Sequence, residues 1–423
     1  MVDPKLIREA PQLIEKSINN KNVDPVIVEK WLKADKKRSL SIVALGELRY
    51  ERNQLTEKFK KNKPTSKQAK DAKNLREKIQ KLEKKLKELE NEWNELLLLI
   101  PNPSKNDVPV GKDDKANVEL KREGTPPKFD FEPKNYLELG RMHDLIDIES
   151  ASKMSGPRFG ILKNDAALLE LALVNYAISF LVKKGFKPVI PPTLIKKEME
   201  KGLGYADQGG WKDMYVLDED NLVLVATAEH SLVSMNSGRV FENKELPERF
   251  VGYSSCFRRE SGSYGKDTGG IFRVHQFDKV EMVSFCKPED SEKEHEFLIS
   301  LEEELMMSLG LHYRLMILST GDSSAPSAKT VDTETWMPSE NKFRETHSCS
   351  NCTDFQSRRL NIKFKNKNNS LEYVHVLNGT AFAIGRMIIM ILENFQQKDG
   401  RIKIPQPLIS WMGKEYIESF TRK

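Results

Sequence analysis

Cysteine is scarce in this chain: four residues in 423, at positions 256, 286, 349 and 352. That is too few for a disulfide framework and fits reduced thiols in a cytosolic protein. Cys349 and Cys352 form a single C-x-x-C. Structural zinc wants four ligands and no second pair follows, so no structural zinc is expected. Long hydrophobic runs are missing too. The richest stretch, residues 168–182, is interrupted by Glu170 and Asn175 and reads as a buried helix. A membrane span needs roughly 18–20 apolar residues. The N-terminus carries acids early and lacks the apolar core of a secretory signal. A cytoplasmic location and no membrane partner are therefore expected. The net charge is only +5, which permits an anionic partner without demanding one. Glycine nearly vanishes over residues 30–100, where Gly46 stands alone, so helix breakers are few there.

What is present is charge, leucine and length. A chain that is 38% hydrophobic and 31% charged is a globular, charge-rich protein with room for two or three domains. Leu75, Ile79, Leu82, Leu86, Leu89, Trp93 and Leu96 repeat at spacings of four and three. That is a coiled-coil seam, predicting a helix from about Ser66 to Leu98. A weaker seam precedes it at Leu45, Leu48, Leu55 and Phe59. Pro64 and Asn62 break the two apart, so they fold back as an antiparallel pair. The tip is basic: Lys58, Lys60, Lys61, Lys63, Lys67, Lys70 and Lys73, with Asp71 as the one acid expected nearby. Such a tip can grip a phosphate backbone, or it can simply keep an exposed coiled coil in solution.

Residues 101–135 are rich in Pro, Asp, Asn and Lys and read as a linker. Beyond them, helices are predicted at 165–184, 289–309 and about 379–395. Strands are predicted at 185–192, 213–217, 221–227, 250–258 and 271–284. Hairpin-connected strands bracketed by helices make a mixed α+β domain with an antiparallel sheet.

Four segments carry candidate chemistry. Phe257–Glu281 places Arg258, Arg259 and Arg273 beside Glu260, Phe277 and Glu281. Guanidiniums, carboxylates and one ring suit a ligand with phosphates, an ammonium and a flat base; a salt-bridged surface hairpin has the same pattern. Asn378–Arg386 sets small residues before an Arg that could clamp a phosphate. Thr227-Ala228-Glu229 could hold a small zwitterion, or be a helix start with a capping Thr. Glu345 and Ser348, three apart, offer the hard oxygen ligands that Mg²⁺ prefers, or belong to a polar turn.

Together these segments resemble a known family. Phe257–Glu281 resembles the second signature motif of class II aminoacyl-tRNA synthetases. The strand ending at Pro191-Pro192 resembles the first, and Asn378–Arg386 the third. RVHQFDKVE (273–281), ETHSCSNCTDFQSRR (345–359) and LNGTAFAIGR (377–386), with the helical arm, LIREAP (6–11) and IPNPSKNDVPVG (100–111), resemble seryl-tRNA synthetases. The resemblance implies a class II antiparallel sheet flanked by helices, with an N-terminal antiparallel α-helical coiled-coil arm. It divides the chain into a tRNA-binding domain (1–100), a linker (101–135) and a catalytic domain (136–423). The implied activity makes seryl-adenylate from ATP and L-serine, then charges tRNA(Ser), with tRNA(Sec) a further expected acceptor. By the same resemblance, Arg258, Glu260, Arg273, Val274, Phe277 and Arg386 bind ATP, and Glu345 and Ser348 hold Mg²⁺. Arg258, Arg386 and Glu345 carry the catalysis. Thr227, Glu229, Glu281, Asn378 and Thr380 bind serine. Lys58, Lys60, Lys61, Lys63, Lys67 and Lys70 bind tRNA, and the chain forms a homodimer.

The pattern has departures. Asp267-Thr268-Gly269-Gly270-Ile271 stands where the family commonly has D-T-R-G-L, so Gly269 replaces an Arg thought to handle the acceptor end. Arg259 and His347 also occupy positions where the family commonly has smaller residues. Two rival readings are a ligase charging a carrier protein and a catalytically inactive tRNA-binding paralogue.

Overall fold

A computed structural model describes residues 1–61, 64–261 and 269–418 of the chain. They fall into two compact units, Met1–Pro101 and Asn102–Lys423.

The first unit is built around two long helices, α1 (Val26–Lys61) and α2 (Ser66–Leu98). At 33 residues α2 runs about 50 Å. It starts where the sequence places it because Thr65 caps it. The Thr65 side chain accepts from Gln68 N–H, and the Gln68 side chain accepts from Thr65 N–H. Leu45, Leu75 and Ile79 are buried between the helices, with Leu48, Leu55, Leu82 and Leu86 packed against them. At the base, Asp35 takes both arms of the Arg8 guanidinium at 2.7 and 2.8 Å and the Trp93 indole N–H at 2.8 Å. Lys58, Lys60, Lys67 and Lys70 are exposed near the tip. A second acid joins Asp71 there: Glu57 lies 2.6 Å from Lys60. Asn62 and Lys63 lie outside the described residues, as do Asp267 and Thr268.

The second unit is organised by one eight-stranded sheet. Its strands are β1 (Val118–Glu123), β2 (Lys187–Val189), β3 (Glu248–Phe257), β4 (Gln276–Cys286), β5 (Tyr313–Ile317), β6 (Lys329–Met337), β7 (Lys342–Asn351) and β8 (His375–Ala383). Their order across the sheet is β1-β5-β6-β7-β8-β4-β3-β2. All neighbours are antiparallel except β2 and β3. Helices α3 (Asn164–Lys183), α6 (Ser291–Leu309) and α8 (Ile384–Asn394) flank it, and short helices α4 (Lys197–Leu203), α5 (Ala228–Ser234) and α7 (Phe355–Leu360) border its open face. The helix α3 contains the apolar 168–182 stretch and is long and apolar enough to cross a membrane. It instead packs Leu169, Leu173, Ala177 and Leu181 into the core.

Three local expectations change. The segment read as a linker supplies β1, which pairs with β5 at the sheet edge. The final helix begins at Ile384, not near 379, because residues 375–383 form a central strand between β4 and β7. The strand expected over 271–284 begins only at Gln276, so Arg273 and Val274 lie in the irregular segment leading into it.

Two irregularities decide which side chains face which way. Thr333 pairs with His347 but Glu334 with Glu345, leaving Thr346 as an extra residue in β7. Val280 pairs with Phe382 but Glu281 with Thr380, leaving Ala381 extra in β8. An extra residue shifts the alternation by one. It brings Glu345 onto the same face as Ser348 and Ser350, while Cys349 turns into the core. It likewise keeps Asn378, Thr380 and Ala383 on that face while Phe382 is buried behind it.

Candidate active site

That face is the floor of a cavity of about 440 Å³. Every ATP, Mg²⁺ and serine residue expected from sequence lines it: Arg258, Glu260, Arg273, Val274, Phe277, Glu345, Ser348, Arg386, Thr227, Glu229, Glu281, Asn378 and Thr380. The cavity has two chemically distinct ends.

One end is cationic. Arg258 leaves β3 just past Phe257, where its N–H donates to His275 O at 2.9 Å and its own carbonyl meets the His275 Nδ1 at 3.0 Å. Its Nε donates to Ala226 O at 3.4 Å, and its guanidinium lies 5.2 Å from the centre of the Phe277 ring. Glu260 sits at φ +52°, a left-handed conformation that a non-glycine residue rarely adopts. Arg158 donates to its carbonyl at 3.0 Å and Arg273 to its carboxylate at 2.6 Å, which holds that conformation. Arg386, in the first turn of α8, lies 3.0 Å from the Glu345 carboxylate and donates to the Glu345 carbonyl. Its guanidinium also stacks on Phe272, which carries Arg344 as well, at 4.9 and 4.1 Å. The packing around Glu345 favours a neutral carboxyl, but Arg386, Arg258 and Arg273 outweigh it and hold the group below its ordinary range. Beside it, burial and the Glu345 charge push the Asp332 carboxyl well up. The Asp332 Oδ1 is buried without a hydrogen-bond partner, and Asp332 faces Ser348 in the strand register. Glu345 and Ser348 therefore lie within a strand, not in a polar turn.

The other end is acidic and enclosed. Thr227 caps α5, its hydroxyl accepting from the Glu229 N–H at 3.3 Å, so capping and cavity lining occur together. Glu229 and Glu281 are 2% and 1% exposed. Glu281 forms an ion pair with Lys279, whose Nζ also reaches the Thr227 hydroxyl at 3.4 Å. Burial pushes the Glu281 carboxyl up; Lys279 opposes that and Glu229 adds to it, leaving it raised. Among the described residues no cation pairs with Glu229. Cys349 and Cys352 are buried free thiols, and burial drives the Cys349 thiol well up. Among the described residues no three His, Cys, Asp or Glu side chains are grouped to hold a metal.

Three further lining residues matter and do not stand out in the sequence: Lys279, Phe272 and Tyr205. Lys279 was within reach, since 277, 279 and 281 share one face of a strand. Phe272 and Tyr205 lie in irregular segments, where no periodicity marks an inward side chain.

The chain is similar to known proteins over its full length. Residues 1–103 match the model of the seryl-tRNA synthetase N-terminal domain, and residues 215–395 that of the class II tRNA synthetase core domain for G, H, P, S and T. The chain is 41% identical over 420 residues to a serine–tRNA ligase of Nitrosopumilus maritimus, covering 98% of this chain and 99% of that one. It is 44% identical over 425 residues to the Thermotoga maritima serine–tRNA ligase, covering 99% and 100%. The crystal structure of Pyrococcus horikoshii seryl-tRNA synthetase complexed with ATP superposes over the full length of both chains, with TM-score 0.94 and 36% identity. That of the cytoplasmic serine–tRNA ligase of Naegleria fowleri, in complex with AMP, gives TM-score 0.88 at 31% identity, covering 100% and 99%. The chain belongs to the seryl-tRNA synthetases, class II enzymes that activate serine as its adenylate and charge tRNA with it.

Proposed function

We propose that the cationic end of the cavity binds ATP with Mg²⁺ and the acidic end binds L-serine, so that the two meet over β4 and β8. The observation that carries this is the polarity of the cavity, with arginines at one end and, at the other, Glu229, a buried carboxylate without an ion pair among the described residues. Serine's carboxylate is already ionised at neutral pH and needs no general base. Its oxygen attacks the α-phosphorus as the bond to the pyrophosphate oxygen breaks. Catalysis is then positioning and charge stabilisation. Arg258 faces the α-phosphate, Arg386 the γ-phosphate end, Phe277 and Val274 the adenine, and Glu260 the adenine edge, with Arg273 fixing Glu260. A hydroxyl of the terminal adenosine of tRNA then attacks the acyl carbon, and AMP leaves.

Glu345 and Ser348 would hold Mg²⁺. The strand irregularity at Thr346 that puts both on one face, and the orphaned Asp332 oxygen beside Ser348, fit a cation there. When bound, Mg²⁺ supplies neutralisation of phosphate charge. Glu229 takes the serine ammonium, because its charge has no cation pair among the described residues. Thr227, Glu281, Asn378 and Thr380 surround the hydroxyl. A site built to pair a hydroxyl leaves buried polar groups unmatched when alanine enters, so serine should exceed alanine by about 10⁴-fold in kcat/KM. Serine-dependent ATP–pyrophosphate exchange checks this. Absence of exchange would support the inactive paralogue, and exchange without tRNA charging the carrier ligase.

The arm formed by α1 and α2 carries tRNA(Ser), and tRNA(Sec) by the same interactions. Residues 1–100 thus act as the tRNA-binding domain and 136–423 as the catalytic domain. A cytoplasmic location is consistent with the Naegleria relative. The chain further assembles as a homodimer through the outer face of α3. Only 39% of that helix's most apolar window is buried, and Leu168 and Leu171 are 47% and 56% exposed. An isologous twofold interface covers such a face on both copies at once. Replacing both leucines by glutamate should convert a particle of twice 48.6 kDa into one of 48.6 kDa, measured by light scattering.

A further inference from the structure

Around Glu229, at the serine end, lie polar side chains that the reaction as described does not use. The Tyr205 hydroxyl donates to Glu229, lying 3.0 and 3.1 Å from its two carboxylate oxygens. The Gln356 side-chain amide, from α7, donates to Glu229 Oε1 at 2.9 Å. Both donors are neutral. They fix the direction of the carboxylate without cancelling its charge, unlike Lys279, which neutralises Glu281 next door. The Tyr205 ring is itself held. It stacks on the His230 imidazole at 5.1 Å and 19°, and His230 Nδ1 is 2.8 Å from the buried Glu200 carboxylate. Gln356 is fully buried on α7. Burial and the Glu229 charge raise the Tyr205 hydroxyl well above its ordinary range, so it stays protonated and remains a donor.

We infer that Tyr205 and Gln356 are positioning residues that aim the Glu229 carboxylate at the serine ammonium, and so set the enzyme's affinity for its amino acid. A carboxylate held by two neutral donors cannot rotate away when the pocket is empty, which lowers the ordering cost of binding serine.

The inference rests on the assignment of Glu229 to serine, and the experiment separates the two. Serine-dependent ATP–pyrophosphate exchange is measured for the parent, Tyr205→Phe, Gln356→Met and Glu229→Gln, with the KM for serine, the KM for ATP and kcat separated and thermal melting for each. Tyr205→Phe and Gln356→Met should each raise the serine KM roughly tenfold, the effect of removing one hydrogen bond to a charged group. The ATP KM should stay within about twofold and kcat should fall less than the serine KM rises. Glu229→Gln should raise the serine KM by more than either. If Glu229→Gln is costly while both other variants keep the parental serine KM, the inference alone is overturned. If Glu229→Gln is itself silent, the inference falls with the assignment beneath it. A parallel rise in the ATP KM would mark Tyr205 and Gln356 as structural and overturn it as well.

Discussion

Arg258→Ala should lower serine-dependent ATP–pyrophosphate exchange by about 10³-fold, the scale seen when one preorganised donor to a developing charge is removed. Three arginines face the cationic end, but they are not equivalent. Arg273 is committed to Glu260 and Arg386 to Glu345. Among the described residues no carboxylate pairs with Arg258. Its backbone is tied twice to His275, its Nε to Ala226, and its guanidinium lies over the Phe277 ring. It is a fixed cation whose charge is left available for a phosphate. Arg258→Lys should recover little, because a lysine can neither reach two oxygens in a fixed plane nor spread over the ring. Exchange kinetics with a melting curve decide the matter. A drop smaller than tenfold in a folded Arg258→Ala variant would refute the role.

Replacing Lys58, Lys60, Lys67 and Lys70 together by glutamine should raise the tRNA KM for aminoacylation roughly 100-fold at moderate salt. The slope of log KM against log salt should flatten by roughly 0.7–0.9 for each phosphate no longer neutralised. Serine-dependent exchange should be unaffected, since these side chains belong to a different compact unit from the cavity. All four are exposed, and among the described residues the substitutions break one ion pair, between Lys60 and Glu57, which is worth little at a surface. Equal declines in charging and exchange would make the tip structural.

Much of the fold was legible because its signals are local. The α2 seam and its start at Thr65 depend on spacing and a cap within four residues. What escaped depends on distant neighbours. Residues 379–383 run straight into a helix and show no clear strand alternation, yet they form a strand wedged between β4 and β7. A Cβ on Gly379 would lie 3.2 Å from Met282 and 3.3 Å from Cys349, a crowding no local pattern reveals. Val118–Glu123 is charged and flanked by breakers, and it becomes a strand only because β5, nearly 200 residues later, pairs with it. Ile271–His275 is rich in β-forming residues, but there the chain turns to bring Arg273 to Glu260 and His275 to Arg258. The candidate site was legible as residue types in motifs. The support behind Glu229 was not, because Tyr205, Gln356 and Glu229 come from three separate stretches.

The extra residues at Thr346 and Ala381 give the cavity an unusual kind of dependence on the chain. Its inventory is written in the count of residues along β7 and β8 as much as in their identities. Giving Thr346 a partner, by one residue added to β6 between Thr333 and Glu334, would restore plain alternation along β7, turning Glu345 toward the core and Arg344 toward the cavity with every motif residue still present. A relative could thus lose the proposed cation site through a single-codon insertion. Length, read between fixed points of paired strands, is therefore a character to compare among relatives alongside the motif residues.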